Sequence, residues 1–139
     1  MLSFVDHTWC LSVEENTWEE LETTGNKPGY LQDHSMVSYN QYIYVFGGEI
    51  SFCNDLEVPL WKYHKEERKW EKIPAGNSSQ TPKGLRGHCM VLFENKLLVY
   101  GGYQELLGSS GDLWSFDLSS DHWSKITQVT TTNNAKAEF

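Results

Sequence analysis

His34 and His88 are the residues from which any chemistry in this chain would start, because imidazole ligates metals and moves protons near neutral pH. Each is followed 13 residues later by a glycine pair, Gly47-Gly48 or Gly101-Gly102. Metal binding would need cysteines or carboxylates grouped with both histidines, and no such cluster accompanies both. Equal positions in successive repeats recur for packing, so both are expected to be structural, with the imidazole bonding neighbouring backbone or side chains. Cys89, beside His88, suggests a nucleophile and its base, but adjacent residues on a strand point to opposite faces. His7, His64 and His122 have no matched partners. A phosphate-binding loop would need its glycines to open a helix and precede Gly-Lys-Ser/Thr, and neither pair does. The glycines read as strand terminators. The chain is therefore expected not to be an enzyme, with no catalytic residue, no metal ligand and no cofactor.

The elements that carry these residues follow from a repeat. Trp18, Trp70 and Trp123 stand 52 and 53 positions apart, and each is preceded nine positions earlier by Trp9, Trp61 or Trp114. Leu11, Tyr63 and Phe116 follow the first Trp of each frame by two, and Leu21, Ile73 and Ile126 follow the second by three. Spacing of two places side chains on one face of a strand. A Trp that recurs once per strand in fixed register is expected to pack between neighbouring sheets rather than to stack on a sugar.

Upstream of each complete frame lies a matched block, His34 to Gly48 and His88 to Gly102, aligned without a gap. Met36 matches Met90, Val37 matches Val91, Val45 matches Val99 and Phe46 matches Tyr100. Each block reads as two strands joined by a polar turn, Asn40-Gln41 or Glu94-Asn95. One unit is thus four short antiparallel strands in about 53 residues with no helical periodicity, and such sheets bury both faces only by stacking on their neighbours. Radial stacking gives a propeller, usually of about 4–8 blades. The expected organisation is a partial blade over residues 1–24, complete blades over 30–74 and 84–127, and a polar tail over 128–139.

The order of His, apolar strand, Gly pair, Tyr63 or Phe116 and then Trp70 or Trp123 resembles the kelch repeat, and the likeness runs from about Thr8 to Thr127. WD-type repeats are shorter, about 40–45 residues, and their Trp-Asp dipeptide is missing. The resemblance implies an all-β fold, a partial β-propeller of four-stranded antiparallel kelch blades. Kelch repeats often carry an Arg three residues before the His. Here Leu31 and Leu85 stand there, with Arg86 one step later, so no ligand role is carried over. The resemblance also implies a scaffold that recognises a partner protein or peptide of unknown identity. The alternative is the propeller of a metal-dependent enzyme, such as a copper oxidase like galactose oxidase. The Glu-x3-Asp-x3-His ligands of iron-dependent kelch-like proteins do not occur in the sequence.

With strands named A to D, the B-to-C loops and D-to-A connections leave a blade at the same end, and these are the long ones. Binding residues usually sit on such loops. The expected contact residues are Asp33, Glu49, Phe52, Asn54, Asp55 and Glu57 on one blade and Arg86, Tyr103, Gln104 and Glu105 on the next. Phe52 and Tyr103 are the expected anchors.

Eleven Lys and Arg against nineteen Asp and Glu give a net charge of −8, which repels nucleic acid. No apolar run approaches the roughly 20 residues of a membrane span. Three widely separated cysteines, Cys10, Cys53 and Cys89, and a start without leader features predict a cytoplasmic protein. Asn77-Ser78-Ser79, a glycosylation acceptor pattern, is the one sign of an extracellular alternative. Two and a half blades would leave aromatic faces open, so the chain is expected to be a fragment whose missing blades belong to a longer protein.

Overall fold

The computed structural model of the chain describes residues 7–48, 58–74, 81–104 and 107–126. Among these there is no helix, and fourteen strands account for the regular structure. The first unit is a hairpin of β1 (Thr8–Ser12) and β2 (Thr17–Leu21), followed by the short β3 (Thr24–Gly25). The second unit consists of β4 (Ser35–Tyr39), β5 (Tyr42–Phe46), β6 (Leu60–His64) and β7 (Lys69–Ile73). The short β8 (Leu85–Arg86) leads into the third unit. That unit holds β9 (Cys89–Phe93), β10 (Lys96–Tyr100), β13 (Leu113–Asp117) and β14 (His122–Ile126), with the two-residue strands β11 (Tyr103–Gln104) and β12 (Gly108–Ser109) in its long loop.

The second and third units are each an up-and-down antiparallel sheet, in the orders β4-β5-β6-β7 and β9-β10-β13-β14. Their hairpins turn through residues in the left-handed region, at Asn40 and Glu94 (φ 52° and 54°) in one pair and at Asn16, Arg68 and Asp121 (φ 53°, 51° and 51°) in the other set. Asn and Asp tolerate this conformation; Arg68 and Glu94 adopt it because the register leaves two tight turns no other path. The two short turns of the second unit share one end: the Lys65 ammonium donates to Ser38 Oγ at 2.7 Å and to the Asn40 carbonyl at 2.9 Å.

Cross-strand pairing fixes which side chains share a face. Val45 opposes Trp61, and Tyr63 opposes Trp70, so these four lie together on the face toward the first unit. There they form one core with Leu21. The Trp70 indole donates to Thr8 Oγ1 at 3.0 Å across that junction. On the opposite face, Tyr44, Phe46 and Leu60 pack against Met90, Leu97, Val99, Trp114, Phe116 and Trp123 of the third unit in the larger core. Full burial of one such aromatic contributes about 1.5–3 kcal/mol, so this face-to-face stack is the main source of cohesion between units.

Two features had no counterpart in the sequence reading. β3 adds a fifth strand to the second sheet, running parallel to β7 with Thr24 opposite Lys69. β8, β11 and β12 form a separate three-stranded sheet outside the third unit.

Candidate binding rim

The small sheet gathers the long connections of the third unit. Arg86 of the connection entering the unit pairs with Tyr103 of its B-to-C loop, and Leu85 pairs with Gln104. β12 closes the group, with Ser109 opposite Tyr103. The second unit is stitched to the same place by backbone bonds. The Gly48 N–H donates to the Leu85 carbonyl at 2.8 Å, the Gly87 N–H to the Asp33 carbonyl at 2.8 Å, and the Gln32 N–H to the Gly48 carbonyl at 2.8 Å. Gly102 is needed here: at φ 93°, a Cβ on it would approach His88 Cβ to 2.9 Å and the Arg86 carbonyl to 3.0 Å.

This places Asp33, Arg86, Tyr103 and Gln104 on one end of the arc. Arg86 and Tyr103 are exposed, with the guanidinium 5.1 Å from the ring centre. Asp33 is exposed and left-handed (φ 56°), and Gln104 is half-buried. Leu107, which the sequence reading passed over, stands exposed at the tip of the β11–β12 turn, its N–H donating to the Gln104 carbonyl at 3.1 Å. The available signal was an apolar residue directly before the turn-forming Gly108-Ser109-Ser110-Gly111. Glu49, Phe52, Asn54, Asp55, Glu57 and Glu105 lie outside the described residues.

The repeat-defining residues occupy matched places with unmatched surroundings. Trp61, Trp70, Trp114 and Trp123 are buried between or within sheets, as a packing role requires. Trp9 and Trp18 are not: on the outer face of the first hairpin, Trp18 is 66% exposed where Trp123 is 3% exposed. Gly47 is pressed against the next unit, where a Cβ would be driven into the His88 ring and the Leu85 carbonyl, whereas one on Gly101 would meet only the Ser110 carbonyl at 3.6 Å. Tyr63 and Phe116 are buried in the two cores.

The histidines differ from the expected pair of bonded imidazoles. His88 is buried, edge-on to Phe46 with ring centres 5.4 Å apart, and among the described residues neither ring nitrogen has a hydrogen-bond partner. The Phe46 backbone approaches closely enough to favour the charged ring slightly, without bonding geometry. Burial outweighs it, and His34 adds to the effect, so the pKa falls to about 4. A neutral ring packed as an aromatic replaces the expected hydrogen-bonded one. His34 is exposed, because among the described residues no strand covers it as β5 covers His88. It lines a groove of about 300 Å³ with Met36, Val45, Trp70 and Trp9. Tyr44 has its hydroxyl pushed up to about 12, mainly by burial, and stays protonated. Cys89 is exposed with a free thiol, and the adjacent imidazole points into the core. Among the described residues, no three His, Cys, Asp or Glu side chains are grouped to hold a metal ion.

Comparison with known proteins agrees with this architecture. The family described as the KLHDC2/KLHL20/DRC7 Kelch-repeats domain matches residues 2–138. The chain is 33% identical over 127 residues to Kelch domain-containing protein 10 of Xenopus tropicalis, covering 86% of this chain and 30% of that protein. It is 30% identical over 124 residues to the Leucine-zipper-like transcriptional regulator 1 homolog of Drosophila melanogaster, covering 85% of this chain and 12% of that one. With Kelch-like protein 41b of Danio rerio it shares 26% identity over 124 residues, or 89% of this chain and 19% of the relative. The chain thus spans less than a third of each of these relatives.

Proposed function

The chain belongs to the kelch-repeat family, and on that footing we propose that it is part of a β-propeller that holds a partner protein or peptide on the rim built by its long loops. Kelch repeats are generally protein-interaction scaffolds, and the chain is all-β with antiparallel sheets, consistent with a partial propeller. The observation that carries the rim assignment is the pairing of Arg86 with Tyr103, which converts two long loops into a fixed surface. Tyr and Arg dominate interface energetics because they combine area with directed polar groups. Leu107 adds an apolar contact beside them. Free thiols at Cys10 and Cys89 fit a reducing compartment such as the cytoplasm. Further blades against the two ends of the arc complete the ring.

The test compares proteins recovered by the wild-type chain and by an Arg86→Ala/Tyr103→Ala variant, quantified by mass spectrometry. Loss of specific partners by tenfold or more supports the rim. An unchanged set in a folded variant refutes it.

A further inference from the structure

The hairpin of β11 and β12 has an edge that nothing among the described residues fills. The hairpin continues β10 and β13 past Gly101-Gly102, so β8, β11 and β12 repeat the order of β9, β10 and β13 beyond the end of the blade. The edge at β8 is occupied, because the Leu85 carbonyl accepts from the Gly48 N–H at 2.8 Å. The edge at β12 lies on the opposite side, in the plane of the sheet rather than on a face where blades stack. Its polarity follows from the ladder, in which bonded and non-bonded residue pairs alternate. The Ser110 N–H donates to the Gly102 carbonyl at 2.8 Å, which makes Tyr103 and Ser109 the non-bonded pair. The backbone N–H and C=O of Tyr103 then face Arg86, and those of Ser109 face outward. Ser109 and Gly111 are exposed, and a Cβ on Gly108 or Gly111 would meet nothing within 4 Å.

Resting on the rim as the binding surface, we infer that its partner is an extended peptide segment that adds to the open edge of β12 as a fourth strand of the small sheet. The Ser109 backbone offers one donor and one acceptor side by side, the pattern that an extended main chain matches. Proteins usually block such an edge with charge or proline, and Gly108-Ser109-Ser110-Gly111 has neither. The edge also continues the proposed rim. Arg86, Tyr103 and Ser109 stand opposite one another in a single exposed row, while Leu85, Gln104 and Gly108 form the more buried row. Strands lie about 4.8 Å apart and Ser109 is too short to screen Tyr103, so a large apolar side chain opposite Ser109 reaches the Tyr103 ring. Leu107, exposed at the end of the same edge, offers a second apolar contact. The occupant is thus a linear segment with an apolar residue at one fixed position, not a folded surface.

The probe is a displayed library of short linear peptides selected on the whole chain, with the best binder synthesised and measured by fluorescence anisotropy. Strand addition has a signature of its own: methylating the peptide's backbone nitrogens one at a time should weaken binding roughly tenfold where the N–H meets the Ser109 carbonyl, and little at the positions on either side. Ser109→Pro removes a donor that no described residue uses and should weaken binding by a similar factor. Ser109→Ala keeps that donor and should bind as the wild type does, and thermal melting checks that both variants fold. No selected peptide, uniform sensitivity to methylation, or unchanged binding to folded Ser109→Pro would each overturn the inference. So would a chain that dimerises through this edge, seen in light scattering as a doubling of the 16.0 kDa unit that Ser109→Pro abolishes. A peptide lost with Arg86→Ala/Tyr103→Ala but indifferent to methylation and to Ser109→Pro would leave the rim in place and remove the strand addition alone.

Discussion

The Phe46 and Trp123 rings, 77 residues apart in sequence, meet with centroids 5.0 Å apart at a tilt of 47°. That contact joins an inner strand of one sheet to the outer strand of the next, and the rest of the junction is arranged around it: Met90, Leu97 and Phe116 below, and the unbonded His88 ring to the side.

Met36 and Met90 provide a matched comparison. They hold the same place in successive units, yet Met36 is 64% exposed and Met90 is 7% exposed. Met90→Ala should cost about 2–5 kcal/mol and Met36→Ala within about 0.5, as measured by urea unfolding. Equal costs would mean that the second and third sheets do not stack as described.

His88 makes stability depend on pH in a defined direction. Its pKa in the folded chain is about 4, below the ordinary value of 6.5, so between these values the unfolded chain binds more protons than the folded one. Stability should be full above 6.5 and fall as the pH is lowered through that window. Unfolding curves of His88→Phe should lose this component, since phenyl fills the space edge-on to Phe46 without titrating. Persistence of the full slope in that variant would remove His88 as its source.

Gly47 and Gly101 share a backbone conformation, φ 73° and 71°. Gly101→Ala should cost only the left-handed strain, about 1–2 kcal/mol. Gly47→Ala adds a collision with His88 and Leu85 and should cost clearly more in the same denaturation assay. Similar losses would show that Gly47 is not pressed against the next unit.

Rim substitutions should separate binding from folding. Arg86→Ala and Tyr103→Ala touch exposed side chains, so each should shift stability within about 0.5 kcal/mol. A melting temperature strongly lowered by either would make the pair structural rather than a contact surface.

Much of this was legible from spacing alone. The Trp frame and the His-to-Gly blocks located the ten long strands, because alternation and turn residues are local signals. Parity of the strands also brought Asp33, Arg86, Tyr103 and Gln104 to one end. Surroundings were not legible. His34 and His88 are indistinguishable in sequence, and only the presence of β5 over one of them makes it a buried neutral ring. Trp18 and Trp123 differ for the same reason. β3 and the β8–β11–β12 sheet were missed because strands of two residues are too short to show any periodicity; they exist where partner backbone runs alongside.

Stacking of the second and third sheets is tested most directly by a double-mutant cycle on Phe46 and Trp123. With Phe46→Leu and Trp123→Phe, singly and together, the expected coupling is about 0.5–1.5 kcal/mol in unfolding free energy. Strictly additive losses would contradict it, since two rings that do not touch have no energy to share.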